Sequence, residues 1–107
     1  MKTDNTLPLT IITLCGSHRF YDEFIELKNT LESSGIYHVL TPEIFQFRNP
    51  STLSEDTHKK LDELHQAKMK ISEYVLIVNK GGYIGKDTQA EIDWCNANGI
   101  PVKYLEN

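Results

Sequence analysis

Short apolar runs alternate with longer amphipathic segments along the chain. Residues 9–15 and 74–78 are almost wholly apolar and rich in branched side chains, the pattern of a strand buried on both faces of a sheet. Residues 36–41 and 101–105 predict two further, shorter strands, and Pro42 ends the first of these.

The segments between these strands have helical periodicity. In residues 20–34, Phe24, Leu27 and Leu31 recur at three and four positions and Gly35 follows as a stop. Further helices are predicted at about residues 55–71 and from Asp87 or Thr88 to residue 98.

Alternating strands and helices close as a parallel sheet with right-handed crossovers. The predicted fold is therefore α/β, a small Rossmann-like three-layer domain with flavodoxin-like strand order and four to five parallel strands. With 107 residues, the chain is expected to form one domain, residues 1–107.

Residues 42–54 form a long predicted loop that contains Phe45 and Phe47. Loops of this length in small domains often act as lids or contact partners. Equally, the two aromatic side chains could cover the sheet edge or pack against a second subunit.

Composition narrows the possible partners and the cellular location. A net charge of −4 argues against binding a nucleic-acid polymer, which needs a basic surface. No segment reaches the roughly 20 apolar residues of a membrane span, and we expect no membrane association.

Asp4 and Pro8 before the first apolar run argue against a signal peptide. Cys15 and Cys95 are expected to be buried, reduced thiols, and the location is expected to be the cytoplasm.

Two turns are expected to meet at one edge of the sheet. In flavodoxin-like order the carboxyl ends of the first and third strands are neighbours, which brings Gly16-Ser17-His18-Arg19 beside residues 79–87. Gly16 permits close approach of an anion, and Ser17 and Arg19 can bind a phosphate. From the pattern alone, an alternative is equally plausible: Ser17 only caps a helix, and Arg19 is a surface charge.

The second turn contains Gly81, Gly82, Tyr83 and Gly85. Its glycines would allow a ligand to approach the backbone closely. The spacing does not fit GxxxxGK[ST], and no GxGxxG motif follows the first strand, so nucleoside-triphosphate hydrolysis is rejected and dinucleotide binding is weakly supported.

Glu91 has two interpretations. Thr88-Gln89-Ala90-Glu91 matches a capping box, which spacing alone favours, yet a carboxylate at this helix terminus is also well placed for a ligand site. Asp87 and His65 could converge with it, although a lone histidine on an apolar helix face is usually a packing residue. No His, Cys, Asp and Glu set has metal-ligand spacing, so no metal is expected.

Leu14-Cys15-Gly16-Ser17-His18-Arg19, together with Ala90-Glu91-Ile92, resembles the nucleoside 2-deoxyribosyltransferase superfamily. The most similar branch is the 2'-deoxynucleoside 5'-monophosphate N-glycosidases. The segment of residues 81–85 also resembles small bacterial and phage proteins grouped with that superfamily. The motifs that carry the resemblance are short, but their order and spacing agree over nearly the whole chain.

The resemblance implies an enzyme without a cofactor that cleaves an N-glycosidic bond of a nucleoside or nucleotide. It implies that Glu91 attacks the anomeric carbon and that a homodimer or larger oligomer completes the site. Asp87 or His65 would be the acid/base or positioning group. The candidate phosphate- or nucleotide-binding residues are Cys15, Gly16, Ser17, His18, Arg19, Gly81, Gly82, Tyr83 and Gly85.

The chain departs from the family at supporting positions. Thr13 stands where the family usually has a tyrosine, and His65 stands at the place of a helix aspartate, with Asp62 one turn away. These departures favour an alternative function, a non-catalytic protein that binds or senses a nucleotide or nucleotide-sugar. A third, weaker alternative is a purely structural role for the glycine turn and the capping box.

Overall fold

The structure is a computed structural model that describes residues 9–43 and 52–106. Within these residues four strands form one sheet in the order β2-β1-β3-β4, and all pairings are parallel. The strands are β1 (Thr10–Gly16), β2 (Tyr37–Leu40), β3 (Tyr74–Val78) and β4 (Val102–Tyr104). The predicted α/β class, parallel sheet and flavodoxin-like order are confirmed.

Three helices of the described chain flank the sheet: α1 (Tyr21–Glu32), α2 (Glu55–Lys70) and α3 (Lys86–Ala97). A 3-10 turn, His18–Phe20, lies between β1 and α1, and another, Lys80–Gly82, follows β3. The predicted third helix starts earlier than expected, at Lys86. The predictions for Phe45 and Phe47 lie outside the described residues.

The side chains of β1 alternate between two cores, and this alternation creates the three layers. Ile12 and Leu14 pack with Phe24 of α1 on one face of the sheet. Cys15 lies on the other face, in a cluster that includes Met69 of α2 and residues of α3. The helices α2 and α3 therefore cover the face on which Cys15 lies.

The order of the strands decides where a ligand can bind. The last residue of β1, Gly16, pairs with Val78, the last residue of β3. The chain leaves both strands at the same edge of the sheet and passes to helices on opposite faces. A crevice outside the carboxyl ends of the strands is the usual ligand site of such open sheets.

Candidate active site

A crevice of about 940 Å³ opens at this edge of the sheet. Its walls come from the turn after β1, from α2, and from the segment that enters α3. The predicted site residues that line it are Gly16, Ser17, His18, His65, Tyr83, Gly85, Asp87 and Glu91.

Glu91 faces this crevice and not the end of its own helix. The N-cap of α3 is Gly85, and no side chain caps this end of the helix. Thr88 is therefore the third residue of the helix and is buried, with 4% of its surface exposed. The predicted capping box is wrong, because Gly85 and not Thr88 is the N-cap of the helix and Glu91 lines the crevice.

Side chains from three different elements meet below the crevice. Sγ of Cys15, from β1, lies 3.1 Å from Nε2 of His65, from α2. The same Nε2 atom lies 3.6 Å from Oε2 of Glu91, from α3. Cys15 and His65 are buried, whereas 34% of the Glu91 side chain is exposed to the crevice. Glu91 is thus the member of the cluster that a ligand can reach.

Burial sets the protonation of this cluster. It raises the pKa of Glu91 to about 7, and the negative charges of Asp62 and Asp87 act in the same direction. Burial, with a smaller contribution from the charge of Lys68, lowers the pKa of His65 to about 4. It also raises the pKa of the Cys15 thiol well above its ordinary value. At neutral pH the imidazole and the thiol are therefore neutral, and the carboxyl group is close to half ionised.

His65 is held mainly by packing and by its Nε2 contacts. Its Nδ1 atom is buried and has no hydrogen-bond partner among the described residues. The prediction of a satisfied packing histidine therefore does not describe this residue fully. A buried imidazole with one unpaired nitrogen is costly, and a role in binding or catalysis is one explanation for such a group.

A lysine fixes the part of the crevice wall that follows β2. Nζ of Lys68 donates to Oε2 of Glu43 and to the Thr41 carbonyl, both at 2.7 Å. The other oxygen of Glu43 is buried and has no partner in the described part of the chain. The ion pair joins α2 to the chain just after β2 and holds Glu43 at the crevice wall.

The turn after β1 combines a structural role with a position at the crevice. Oγ of Ser17 accepts a hydrogen bond from the Arg19 backbone amide at 3.3 Å and caps the 3-10 turn. The Arg19 guanidinium carbon lies 3.7 Å from the centroid of the Tyr83 ring. Arg19 does not line the crevice itself but covers Tyr83, which does.

Gly16 is required by packing between the two central strands. A Cβ atom there would lie 2.9 Å from the Val78 carbonyl oxygen and 3.2 Å from the Phe24 ring. This close contact explains the glycine without any ligand, although the residue also lines the crevice.

Besides Arg19, three of the predicted binding residues do not line the crevice. Gly81 and Gly82 adopt left-handed φ values of 67° and 81°, which glycine accommodates best, but neither lines the crevice. The Gly81 amide donates to the Glu106 carboxylate at 3.0 Å, a contact with the C-terminal segment. Cys15 lies beneath the crevice with its surface fully buried, so it cannot contact a phosphate there.

Sequence spacing could not find the cluster of Cys15, His65 and Glu91. The three residues are far apart in the chain, and only the packing of α2 and α3 on one face of the sheet unites them. Their donor atoms lie within 4.8 Å of one another, so the spacing argument against a metal site overlooked a possible ligand set. A usable indication was His65 on the apolar side of its helix, facing the strand that carries Cys15.

Comparisons with protein-family models, curated proteins and solved structures returned no match. Among the described residues, no helix has the length and apolar character needed to cross a membrane.

Proposed function

We propose that the protein is an N-glycosidase or a deoxyribosyltransferase-like enzyme that acts on a nucleoside 5'-monophosphate, with Glu91 as the nucleophile. The observation that carries the proposal is the direction of Glu91, which faces the crevice and leaves its own helix terminus uncapped. The resemblance to nucleoside deoxyribosyltransferases supplies the class of reaction.

The reaction would proceed in two displacements at the anomeric carbon. A carboxylate oxygen of Glu91 attacks C1' of the sugar, the C1'–N bond breaks, and its electron pair leaves with the base, which takes up a proton. Water, or a second base, then attacks C1' and releases Glu91 as the free carboxylate. This is the logic of retaining glycosidases.

The neighbouring groups would divide the remaining work. Neutral His65 is suited to positioning Glu91, because its pKa of about 4 makes it a poor proton donor at neutral pH. Asp87 lies one helical turn before Glu91 on the same face of α3 and lines the crevice. It is the better candidate to carry a proton to or from the base.

The phosphate would bind between two turns. The first amides of α3 have no side-chain cap and provide a helix N-terminus for an anion. The stacked position of Arg19 over Tyr83 leaves the guanidinium N–H groups, which point outward in the plane of the group, free to reach a phosphate. The Ser17 hydroxyl, which accepts from the Arg19 amide, can donate its own proton to the same anion.

The assay is release of free base from a panel of deoxy- and ribonucleoside 5'-monophosphates. We expect release from at least one member, and Glu91→Gln should lower kcat by on the order of 10³-fold or more, as removal of a nucleophile does. Asp93→Asn is the matched control, because Asp93 is an exposed carboxylate of the same helix that pairs with Gln89. Intact-mass analysis should detect a glycosyl adduct on Glu91 during turnover.

The pH dependence of this assay tests the role of Glu91. A nucleophile with a pKa of about 7 must lose its proton, so kcat/KM should rise tenfold per pH unit below 7 and level off above it. A profile that falls through this range would mean that Glu91 acts as an acid. Absence of base release from every substrate would refute the enzymatic proposal.

A second candidate function is nucleotide or nucleotide-sugar binding without chemistry. The observation that favours it is the proton that burial keeps on Glu91 below pH 7, which weakens a nucleophile. Calorimetric titration would then give the same nucleotide affinity for Glu91→Gln as for the unmodified protein, with no turnover in either. Loss of affinity in Arg19→Ala would support the phosphate site under both proposals.

We also propose self-association, which the resemblance implies. Two large apolar residues of the α2 region, Leu64 and Ile71, are 54% and 64% exposed, and exposed apolar patches often mark contact surfaces. Light scattering coupled to size-exclusion chromatography should give the mass of a dimer or a larger oligomer, and Leu64→Glu should reduce it to that of a monomer.

A further inference from the structure

We propose that Cys15, His65 and Glu91 form a binding site for a zinc ion, with the fourth coordination position open to the crevice. This inference goes beyond the proposed glycosidase, which needs no metal. It rests on the identity and placement of three donor atoms that converge from β1, α2 and α3.

The spacing of the donors is close to what a single ion requires. With tetrahedral Zn–S and Zn–N or Zn–O bond lengths, ligand atoms lie roughly 3.3–3.6 Å apart. The observed separations are 3.1 Å between Cys15 Sγ and His65 Nε2 and 3.6 Å between that nitrogen and Glu91 Oε2. All three donors fall within 4.8 Å of one another, so side-chain shifts of about 1 Å or less would bring them to the spacing of a tetrahedral ion.

The chemical nature of the donors favours zinc over calcium or magnesium. A thiolate and an imidazole are ligands of borderline-soft ions, whereas calcium and magnesium prefer oxygen alone. Three protein ligands with one open position are the arrangement of zinc sites that hold a water molecule. Here Cys15 and His65 are buried and Glu91 borders the crevice, so the open position would face the crevice.

The charges around the cluster are of both signs. Asp62 and Asp87 line the crevice near Glu91 and act on it electrostatically. Lys86 also lines the crevice, and Lys68, which acts on His65, pairs with Glu43 at 2.7 Å. The zinc proposal therefore rests on the three donor atoms and not on the surrounding charge.

The histidine ligand lacks hydrogen-bond support, which limits the affinity for zinc. Metal-binding histidines usually donate their other ring N–H to an acceptor, but Nδ1 of His65 has none within residues 9–43 and 52–106. Loss of such a partner weakens metal binding by about 10–100-fold. We therefore expect a zinc site that is weaker than a fully supported one and that exchanges with added metal.

When zinc binds, the ion replaces one proton, that of the Cys15 thiol. The Cys15 thiol releases its proton to solvent as Sγ bonds to the ion, His65 Nε2 and a Glu91 oxygen donate electron pairs, and no redox change occurs. If Glu91 is the nucleophile, the ion would occupy the atom that attacks the sugar. Zinc would then inhibit base release; this consequence alone rests on the proposed function.

Cobalt is the probe, because Co²⁺ replaces Zn²⁺ and is visible. The reduced, metal-free full chain is titrated with Co²⁺ under anaerobic conditions. We expect one equivalent to bind, with a near-ultraviolet thiolate-to-cobalt band, intense visible bands of four-coordinate cobalt, and displacement by Zn²⁺. Cys15→Ser should remove the thiolate band, and loss of this ligand should weaken binding by more than about 100-fold.

Cys95→Ser is the matched control. Cys95 is also a buried free thiol, and its Sγ lies 3.6 Å from Met69 Sδ, as does that of Cys15. The variant should keep the thiolate band at full intensity. If Cys15→Ser does not fold, Glu91→Gln replaces it, because Glu91 is partly exposed; it should keep the thiolate band, lose affinity and lower the intensity of the visible bands.

Three results would overturn the proposal: no thiolate band in the unmodified protein, a band lost equally in Cys95→Ser, or cobalt affinity unchanged in Glu91→Gln. None of these depends on catalytic activity. A protein that binds cobalt as expected but releases no base would keep the metal site and reject the glycosidase. Base release without cobalt binding would do the reverse.

Discussion

At the scale of single residues, burial controls the protonation of two neighbouring groups, the carboxyl group of Glu91 and the imidazole of His65. Desolvation disfavours the charged form of each, so it raises the pKa of Glu91 and lowers that of His65. Between about pH 4 and pH 7 the outcome is a pair of side chains, 3.6 Å apart, that are both mainly neutral. A neutral pair keeps the crevice free of an internal ion pair that a substrate or a metal would first have to break.

The opposite pKa shifts of Glu91 and His65 should appear in the pH dependence of stability. Stability from Glu91, whose ordinary pKa is 4.5, is present at low pH and is lost as the pH rises to about 7. Stability from His65, whose ordinary pKa is 6.5, is present above that pH and is lost as the pH falls to about 4. Between pH 4.5 and 6.5 the two contributions therefore oppose each other.

Urea unfolding of the metal-free protein in this pH range separates the two contributions. Relative to the unmodified protein, Glu91→Gln should gain stability as the pH rises, and His65→Gln should gain stability as the pH falls. The Asp93→Asn curve should run parallel to that of the unmodified protein. Parallel curves for all three variants would show that burial does not shift the two groups in opposite directions.

At the scale of elements, the helices of the site begin in different ways. Ser54 caps α2, because its Oγ accepts from the Thr57 amide at 3.1 Å. The start of α3 has Gly85 and no side-chain cap. The pattern Thr-x-x-Glu at residues 88–91 suggested a cap, but that sequence lies one turn inside the helix. The uncapped amides that result border the crevice, where a ligand can use them.

The cap of α2 predicts a measurable change in stability. Ser54→Ala removes the acceptor for the Thr57 amide and should lower the free energy of unfolding by about 1 kcal/mol, as measured by urea denaturation. Ser33→Ala is the control, because the Ser33 hydroxyl only donates to the Thr30 carbonyl on the surface of α1; it should change stability by less than about 0.5 kcal/mol. Equal losses in both variants would contradict the assigned cap.

At the scale of the whole molecule, the end of the chain is fastened to the sheet edge beside the site. The side chain of Asn79, just after β3, donates to the Glu106 carbonyl and accepts from the Glu106 amide, both at 2.9 Å. The Glu106 carboxylate accepts from the Gly81 amide. The glycine turn after β3 is therefore held by the C-terminal segment.

Asn79→Ala tests this connection. Asn79 is buried, so removing its amide breaks both hydrogen bonds and should lower the free energy of unfolding by about 1–3 kcal/mol. Hydrogen exchange should show faster exchange of the amides of Gly81 and Gly82. Glu106→Gln is the control: it keeps the backbone contacts with Asn79 and an oxygen that can accept from Gly81. A similar loss in both variants would show that the Glu106 carboxylate dominates.

The fold was predictable because its determinants are local and repeated. Continuous apolar runs predict the buried strands, and periodic positions such as Phe24 predict the helices that cover them. Alternation of the two then leaves few possible topologies. The boundary of α3 was less predictable, since a short polar stretch allows the helix to begin at any of several residues.

By itself the sequence determined the class, the parallel sheet, its order and the edge at which a crevice forms, because these follow from patterns repeated over many residues. Only the tertiary structure decided what the crevice contains. His65 and Cys15 are buried beside Glu91, and Gly81 lies outside the crevice, because of contacts between distant segments. Such contacts change pKa values and accessibility without leaving a local pattern in the sequence.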